Sequence, residues 1–337
     1  MNISFNRFFR RNGLLRIINN VYIFCVTIAL WIVWRRQDSA DFCSDISKAV
    51  DLEMDDPYLI EFIRVCKMQL PTKKEYKLIN QGIDIAKNVL DDQYLGYRHF
   101  WADAVFFSQL LIPKEKRTKR FFECGASDGE FMSQTYFAER FLGWSGILVE
   151  GDPFYFDKMV GKNRKSTQFQ LCASTSNKSG IMSFLHIEKG KVNGSELLYP
   201  GNGQLYTGKV QNLFQLDVNR VVDVFCVPVY TMLLATNTLS LDIFFLDVEG
   251  PELEILKTIP FDKIDVAIFV VEYNTNPEKL KKLKAFFEEK DYILDDNSNI
   301  DTLFVKKEYM ENITVDISKT VFYEQVKKWY GLKPLVD

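Results

Sequence analysis

Three short polar clusters interrupt long apolar runs, and each holds residue types able to do chemistry. The first, Glu123-Cys124-Gly125-Ala126-Ser127-Asp128-Gly129, joins two carboxylates to two glycines. Gly125 lets backbone approach a ligand closely, and Gly129 relieves crowding where a helix starts. Glu150 follows 25 residues after Gly125, a spacing that suits a carboxylate accepting hydrogen bonds from ribose hydroxyls. The competing reading for both features is turn geometry with helix capping. In the third cluster Asp247 and Glu249 precede a Gly250-Pro251 helix start, where negative charge is favoured by the helix dipole. Glu272 ends a further apolar run. His99 and His186 are the only histidines and no Cys-x-x-Cys occurs, so no zinc or other metal site is expected.

Alternating strands and helices must position these clusters. Strand-like runs at 120–124, 146–150, 168–172, 224–229 and 243–247 alternate with helical stretches at 133–142, 230–236 and 252–258. Val266–Glu272 is a continuous apolar strand, a helix covers 277–290, and 292–294 with 302–306 form a hairpin. Residues 186–220, rich in Gly and Asn, read as a long excursion. The pattern predicts an α/β fold, a Rossmann-like, doubly wound and mostly parallel sheet, with ligands bound beyond the carboxyl ends of the strands. Upstream, Asp56 caps a helix starting at Pro57 and ended by Pro71, and further helical patterns lie near 75–90 and 101–111.

The amino-terminal region is of another kind. Residues 14–34 are apolar on every face after the first turns, long enough to span a bilayer, and end in Trp31, Trp34, Arg35 and Arg36. Residues 1–36 carry six arginines and no acid, which favours a cytosolic amino terminus and a type II signal anchor. The remainder holds 36 basic and 45 acidic side chains, an excess that argues against nucleic acid as a partner. The expected organisation is a cytosolic tail (1–13), a transmembrane helix (14–34), a stem (35–56), a helical extension (57–118), the α/β domain (119–307) and a tail (308–337).

A lumenal body has two consequences. Glycosylation sequons begin at Asn177, Asn193 and Asn312. Five cysteines lie beyond the anchor, so one or two disulfides with an odd thiol left over are expected. Cys172 ends the third strand and Cys226 lies in the run before Pro228, so both could approach one sheet edge, and a disulfide between them is expected.

Taken together, the three clusters resemble the FkbM-type family of S-adenosylmethionine-dependent methyltransferases over residues 55–307. The resemblance is closer still to a Star-like group of arthropod type II membrane proteins. It is carried by Asp55-Asp56-Pro57, Gly125-Ala126, Gly129-Glu130, Glu139-Arg140, Gly143-Trp144-Ser145-Gly146, Glu150, Pro153, Asn163-Arg164, Cys172, Cys226 and Ser240-Leu241-Asp242. It implies S-adenosylmethionine as a cofactor faced by Glu123, Gly125, Ala126, Asp128, Gly129 and Glu150. It places Asp247 and Glu249 beside the transferring methyl, with Asp247, Glu249 or Glu272 as base for a hydroxyl acceptor. One position departs: bacterial members usually carry a lysine two residues before the Asp of the third cluster, here Phe245. An apolar ring cannot take the place of an ammonium. The resemblance therefore implies first a lumenal protein of endoplasmic reticulum, Golgi and endosomes that escorts a membrane-protein cargo. An active O-methyltransferase on a glycan, lipid or small molecule is the alternative.

Overall fold

A computed structural model of the chain describes residues 40–78, 118–130, 133–192, 195–197, 203–205, 215–297 and 300–310. The expected membrane segment, the cytosolic tail, the helix near 101–111, the sequons at Asn193 and Asn312 and the tail beyond residue 310 lie outside the described residues. Of the helix expected near 75–90, residues 75–78 are irregular and the rest lies outside as well. Among the described residues no helix is long and apolar enough to cross a membrane. The chain divides into two units, Met1–Lys48 and Ala49–Asp337. In the first, Ser44 donates to the Asp41 carbonyl (2.7 Å) and Asp45 accepts the Ser47 amide (3.2 Å), both local contacts.

The second unit is built on strands β1 (Met68–Gln69), β2 (Arg120–Cys124), β3 (Ser145–Glu150), β4 (Thr167–Gln170), β5 (Cys172–Ala173), β6 (Gly180–Val192), β7 (Ser195–Leu197) and β8 (Gln204–Leu205). They are followed by β9 (Gln215–Val227), β10 (Ser240–Leu241), β11 (Ile243–Leu246), β12 (Asp265–Val266), β13 (Ile268–Glu272), β14 (Tyr292–Asn297) and β15 (Asp301–Lys306). The helices are α1 (Pro57–Cys66), α2 (Tyr136–Leu142), α3 (Pro153–Gly161), α4 (Val229–Ala235), α5 (Glu252–Lys257), α6 (Pro277–Glu288) and the short α7 (Lys307–Met310).

The main sheet runs β1-β4-β3-β2-β11-β13-β15-β14. Its five central strands are parallel, while β1, β15 and β14 pair antiparallel at the edges. The chain winds outward from β2 in both directions, so the switch point lies between β2 and β11. Both faces are covered, as parallel strands require. On one, Phe121, Leu148, Phe245, Ile268, Val270 and Leu303 share a core. On the other, Phe122 stacks on Phe244 (4.6 Å between centroids) and Phe287 of α6 on Phe304 (4.1 Å). Phe245 is thus a core residue, fully buried.

Several expectations need correction. α1 has the Asp56 cap, which accepts the Tyr58 and Leu59 amides, but it ends at Cys66 and not at Pro71, because Met68 and Gln69 pair with β4. α2 starts at Tyr136, since Ser133–Thr135 are bound to Glu123 instead of continuing a helix. The run 266–272 is split: β12 pairs with β10 in a separate two-stranded sheet, and β13 begins after Ala267. The excursion contains the largest surprise. β6 and β9, thirteen residues each, form a long antiparallel ribbon at the centre of a second sheet, β5-β9-β6-β7, with β8 alongside β6. Register shifts near His186–Lys189, one of them opposite Asn219, interrupt the period-two pattern of the ribbon.

Candidate functional site

The ends of β2, β3, β11 and β13 converge beyond the sheet, and their turns are strained. Ser127, Glu249, Asn274 and Thr275 all take left-handed φ angles of 50–60°. Gly125 has φ +93° and sits so close to the chain after β11 that a Cβ there would lie 1.7 Å from the Asp247 carbonyl oxygen. The Asp247 amide in turn donates to the Cys124 carbonyl (3.1 Å). Gly125 therefore serves first to let the two strand ends meet.

Glu150 ends β3 with both oxygens taken. Oε2 accepts the Ser127 amide (2.7 Å) and Oε1 the Asp152 amide (2.8 Å). Burial pushes its carboxyl up to about 7 against the pull of those amides. Cys124, Gly125, Glu150, Gly151, Cys172 and Asp247 line a cleft that Phe184, Gly203 and Leu205 wall on the side of the second sheet. Its volume is about 30 Å³, water-sized. Phe184 and Leu205 narrow the cleft among the described residues, and each Glu150 oxygen, accepting one amide, keeps a lone pair with which it could accept a ribose hydroxyl of S-adenosylmethionine.

Beside the cleft lies the acidic group. Carboxylate oxygens of Asp247, Glu249 and Glu272 are all within 4.8 Å of one another. Asp247 and Glu249 are partly exposed and Glu272 is buried. Burial, then the charges of Glu249, Asp301 and Glu252, raises Asp247 well above the usual carboxylate range. Burial and Glu252 push Glu249 up to about 7, opposed by Lys279. Burial and the charges of Asp247 and Glu249 likewise raise Glu272. Two members of this group escape sequence reading. Glu252 opens α5, fully buried, and its Oε1 accepts the Val248 (3.1 Å) and Gly250 (3.0 Å) amides, fixing the turn that carries Glu249. Lys279 of α6 pairs with Glu252 (2.5 Å) and lies 4.0 Å from Glu272. No local pattern marks Lys279 as the inward-turning lysine of the lysine-rich α6. Gln134 joins from the segment before α2, its Nε2 donating to Asp247 (3.1 Å).

Of the residues assigned to a cofactor, Gly125 and Glu150 line the cleft. The other four have work elsewhere. Glu123 accepts Ser133 Oγ (3.0 Å), the Gln134 amide (2.8 Å) and Thr135 Oγ1, and burial raises its carboxyl although Arg164 opposes this. Ala126 is a core residue. Asp128 accepts the Glu130 amide (2.9 Å) and faces Lys162 (3.5 Å). Gly129, at φ +72°, makes room for Met159, which a Cβ would meet at 2.6 Å. Behind them is fully buried Arg164, which donates to Glu139 (3.0 Å), the Gly129 carbonyl (2.5 Å), Ser133 (3.0 Å) and Thr135 (3.2 Å). Burial alone would raise Glu139, yet Arg164 and the Lys165 amide hold it below the usual range.

Cys172 and Cys226 form a disulfide, in register on the parallel pair β5 and β9. Cys43 and Cys66 are also disulfide-bonded, and among the described residues Cys124 is the free thiol, buried. Asn177 is exposed in the turn between β5 and β6.

The strand order, the mixed sheet and the acids at its switch point define a methyltransferase-like α/β domain. Residues 123–294, just over half of the chain, match the Methyltransferase FkbM domain, and the chain belongs to that family. Solved structures similar to it include methyltransferase FkbM from Methylobacillus flagellatus KT (14% identity, 68% of this chain and 62% of that one, TM-score 0.32). Others are a human methyltransferase 10 domain containing protein (11%, 68% and 99%, 0.37) and a precorrin-6y C5,15-methyltransferase from Geobacter metallireducens GS-15 (11%, 62% and 86%, 0.32). No curated protein matches the sequence.

Proposed function

We propose that the chain is a Star-like, single-pass type II membrane protein whose FkbM-type domain faces the lumen. In this reading it acts in vesicle-mediated transport of membrane cargo from endoplasmic reticulum to Golgi and endosomes. EGF-receptor ligands are the cargo type the resemblance implies. The observation that carries this reading is that the cofactor side of the site already serves the fold. Glu150 holds two backbone amides, and the cleft between it and Asp247 is water-sized. A methyltransferase scaffold whose cofactor-side groups are engaged in this way supports a role in recognition. Disulfide-bonded Cys43, Cys66, Cys172 and Cys226 support an oxidising compartment, and exposed Asn177 is open to glycosylation there.

The convergence of Asp247, Glu249 and Glu272 favours a second reading, S-adenosylmethionine-dependent methylation of a hydroxyl on a glycan, lipid or small molecule. Carboxylates raised toward neutral pH are suited to general-base work. Calorimetric titration of S-adenosylmethionine into the full-length chain in detergent separates the two, with Glu150→Gln as control and cargo export in cells as companion readout. The escort reading expects no binding, and cargo export supported equally by wild type and Glu150→Gln. Micromolar binding weakened by Glu150→Gln, together with export lost in that variant, overturns it in favour of the enzyme.

A further inference from the structure

We propose that Asp247, Glu249 and Glu272 bind one hard divalent cation of the Mg²⁺, Mn²⁺ and Ca²⁺ class. Their oxygens lie within 4.8 Å of one another. Ligand oxygens on opposite sides of such an ion are about 4–5 Å apart, so one ion between them meets all three after small side-chain rotations. Carboxylates without imidazole or thiolate select the hard cations, not zinc. That is why the spacing of His and Cys gave no sign of this site.

Charge leads to the same place. Glu252 and Asp301 add to the field of the three acids, and the Lys279 ammonium is held closest to Glu252, at 2.5 Å, and stands 4.0 Å from Glu272. One further atom lacks the partner that burial demands. Glu272 is 4% exposed, and the Lys279 ammonium at 4.0 Å from its Oε2 is beyond hydrogen-bond reach. Gln134 is 5% exposed and outside the acidic trio; its Nε2 is fixed on Asp247, and among the described residues its Oε1 takes no hydrogen bond. An amide oxygen left bare beside a carboxylate group is a neutral ligand, or an acceptor for an ion-bound water. Binding stands apart from methyl transfer. Any part the ion plays in holding an acceptor oxygen rests on the enzyme reading of the same site.

The test uses the full-length chain stripped with a chelator, without S-adenosylmethionine. Mg²⁺, Mn²⁺ and Ca²⁺ are titrated separately by calorimetry, and thermal unfolding is followed with and without each ion. The expected result is saturable binding of one ion per chain with a rise in Tm, weakened at least about tenfold in Asp247→Asn and in Glu272→Gln. Glu272→Gln removes repulsion, so it is expected to unfold at higher temperature than ion-free wild type while losing the ion-induced rise; this separates lost binding from lost folding. Wild type that shows no saturable binding up to millimolar ion, or a folded Glu272→Gln chain that binds as well as wild type, overturns the proposal. Either result would mean that Lys279 alone balances the cluster.

Discussion

Glu150→Gln converts an ionisable latch into a neutral one of the same shape. In the folded chain burial raises Glu150 from 4.5 to about 7, while in the unfolded chain it titrates near the ordinary value. The gap corresponds to about 3 kcal/mol. The folded form holds the proton more tightly, so this contribution to stability is fully present below about pH 4.5 and is lost as pH rises through about 7. The variant carries no such contribution. Its amide keeps one acceptor but sets an NH₂ group against the Ser127 or Asp152 N–H, a pH-independent loss of about 1–2 kcal/mol. Urea unfolding of the full-length chain in detergent at about pH 4.5 and about pH 8 measures both terms. Subtracting the variant from wild type cancels the other carboxylates, among them Glu139, whose lowered pKa acts in the opposite direction. The difference in stability should shrink by about 3 kcal/mol from the lower pH to the higher. A difference constant to within about 0.5 kcal/mol would refute both the desolvation of Glu150 and its assignment as a latch.

Other perturbations follow from the same geometry. Arg164→Met leaves Glu123 and Glu139 buried without their cation and should cost about 3–5 kcal/mol in denaturant titration. Gly125→Ala forces a Cβ into the Asp247 carbonyl at φ +93° and should lower stability by more than about 2 kcal/mol. Gly143→Ala, at φ +68° with nothing within 4 Å, should cost only about 1 kcal/mol, and equal losses at the two positions would contradict the close approach. Cys172→Ser with Cys226→Ser opens a loop of 54 residues and should lose about 4 kcal/mol by chain entropy, read as the change in urea midpoint. Asn177→Gln should abolish one endoglycosidase-sensitive mobility step in cells; an unchanged pattern would count against lumenal placement.

Much of this site was legible in the sequence because it depends on local rules. Glycine turns, Gly-Pro helix starts and acids closing apolar runs placed Gly125, Glu150, Asp247 and Glu272 at the right ends of the right strands. What resisted was whatever depends on distant contacts. The resemblance assigns Glu123 to a cofactor, and what it does not disclose is that the side chain accepts hydrogen bonds from residues ten to twelve positions on. Lys279 is one of several lysines in α6, and only the 2.5 Å contact with Glu252 shows which one turns inward. The ribbon of β6 and β9 was hidden for a different reason: two strands joined by a long connection with bulges lose the period-two pattern.

Two of the charge groups among the described residues, one around Arg164 and one at the strand ends, are built differently, and the contrast bears on what the site is for. Around Arg164, each carboxylate meets a cation, a hydroxyl or an amide; Glu139 is held below its usual pKa, and Glu123, which burial raises, is pulled back by Arg164 and three hydrogen bonds. Such a group strengthens the fold by being satisfied. At the strand ends, Asp247, Glu249 and Glu272 are all raised, because burial and mutual repulsion outweigh the ammonium of Lys279. A fold needing only stability is better served there by neutral side chains, since uncompensated buried charge costs several kcal/mol. The turns bearing these acids add strained backbone at Glu249, Asn274 and Thr275. Strain and like charge gathered at the switch point of an α/β sheet make sense if something positive completes them. A cation supplied from solution meets that need at the strand ends themselves, whether or not the cleft beside Glu150 takes a cofactor.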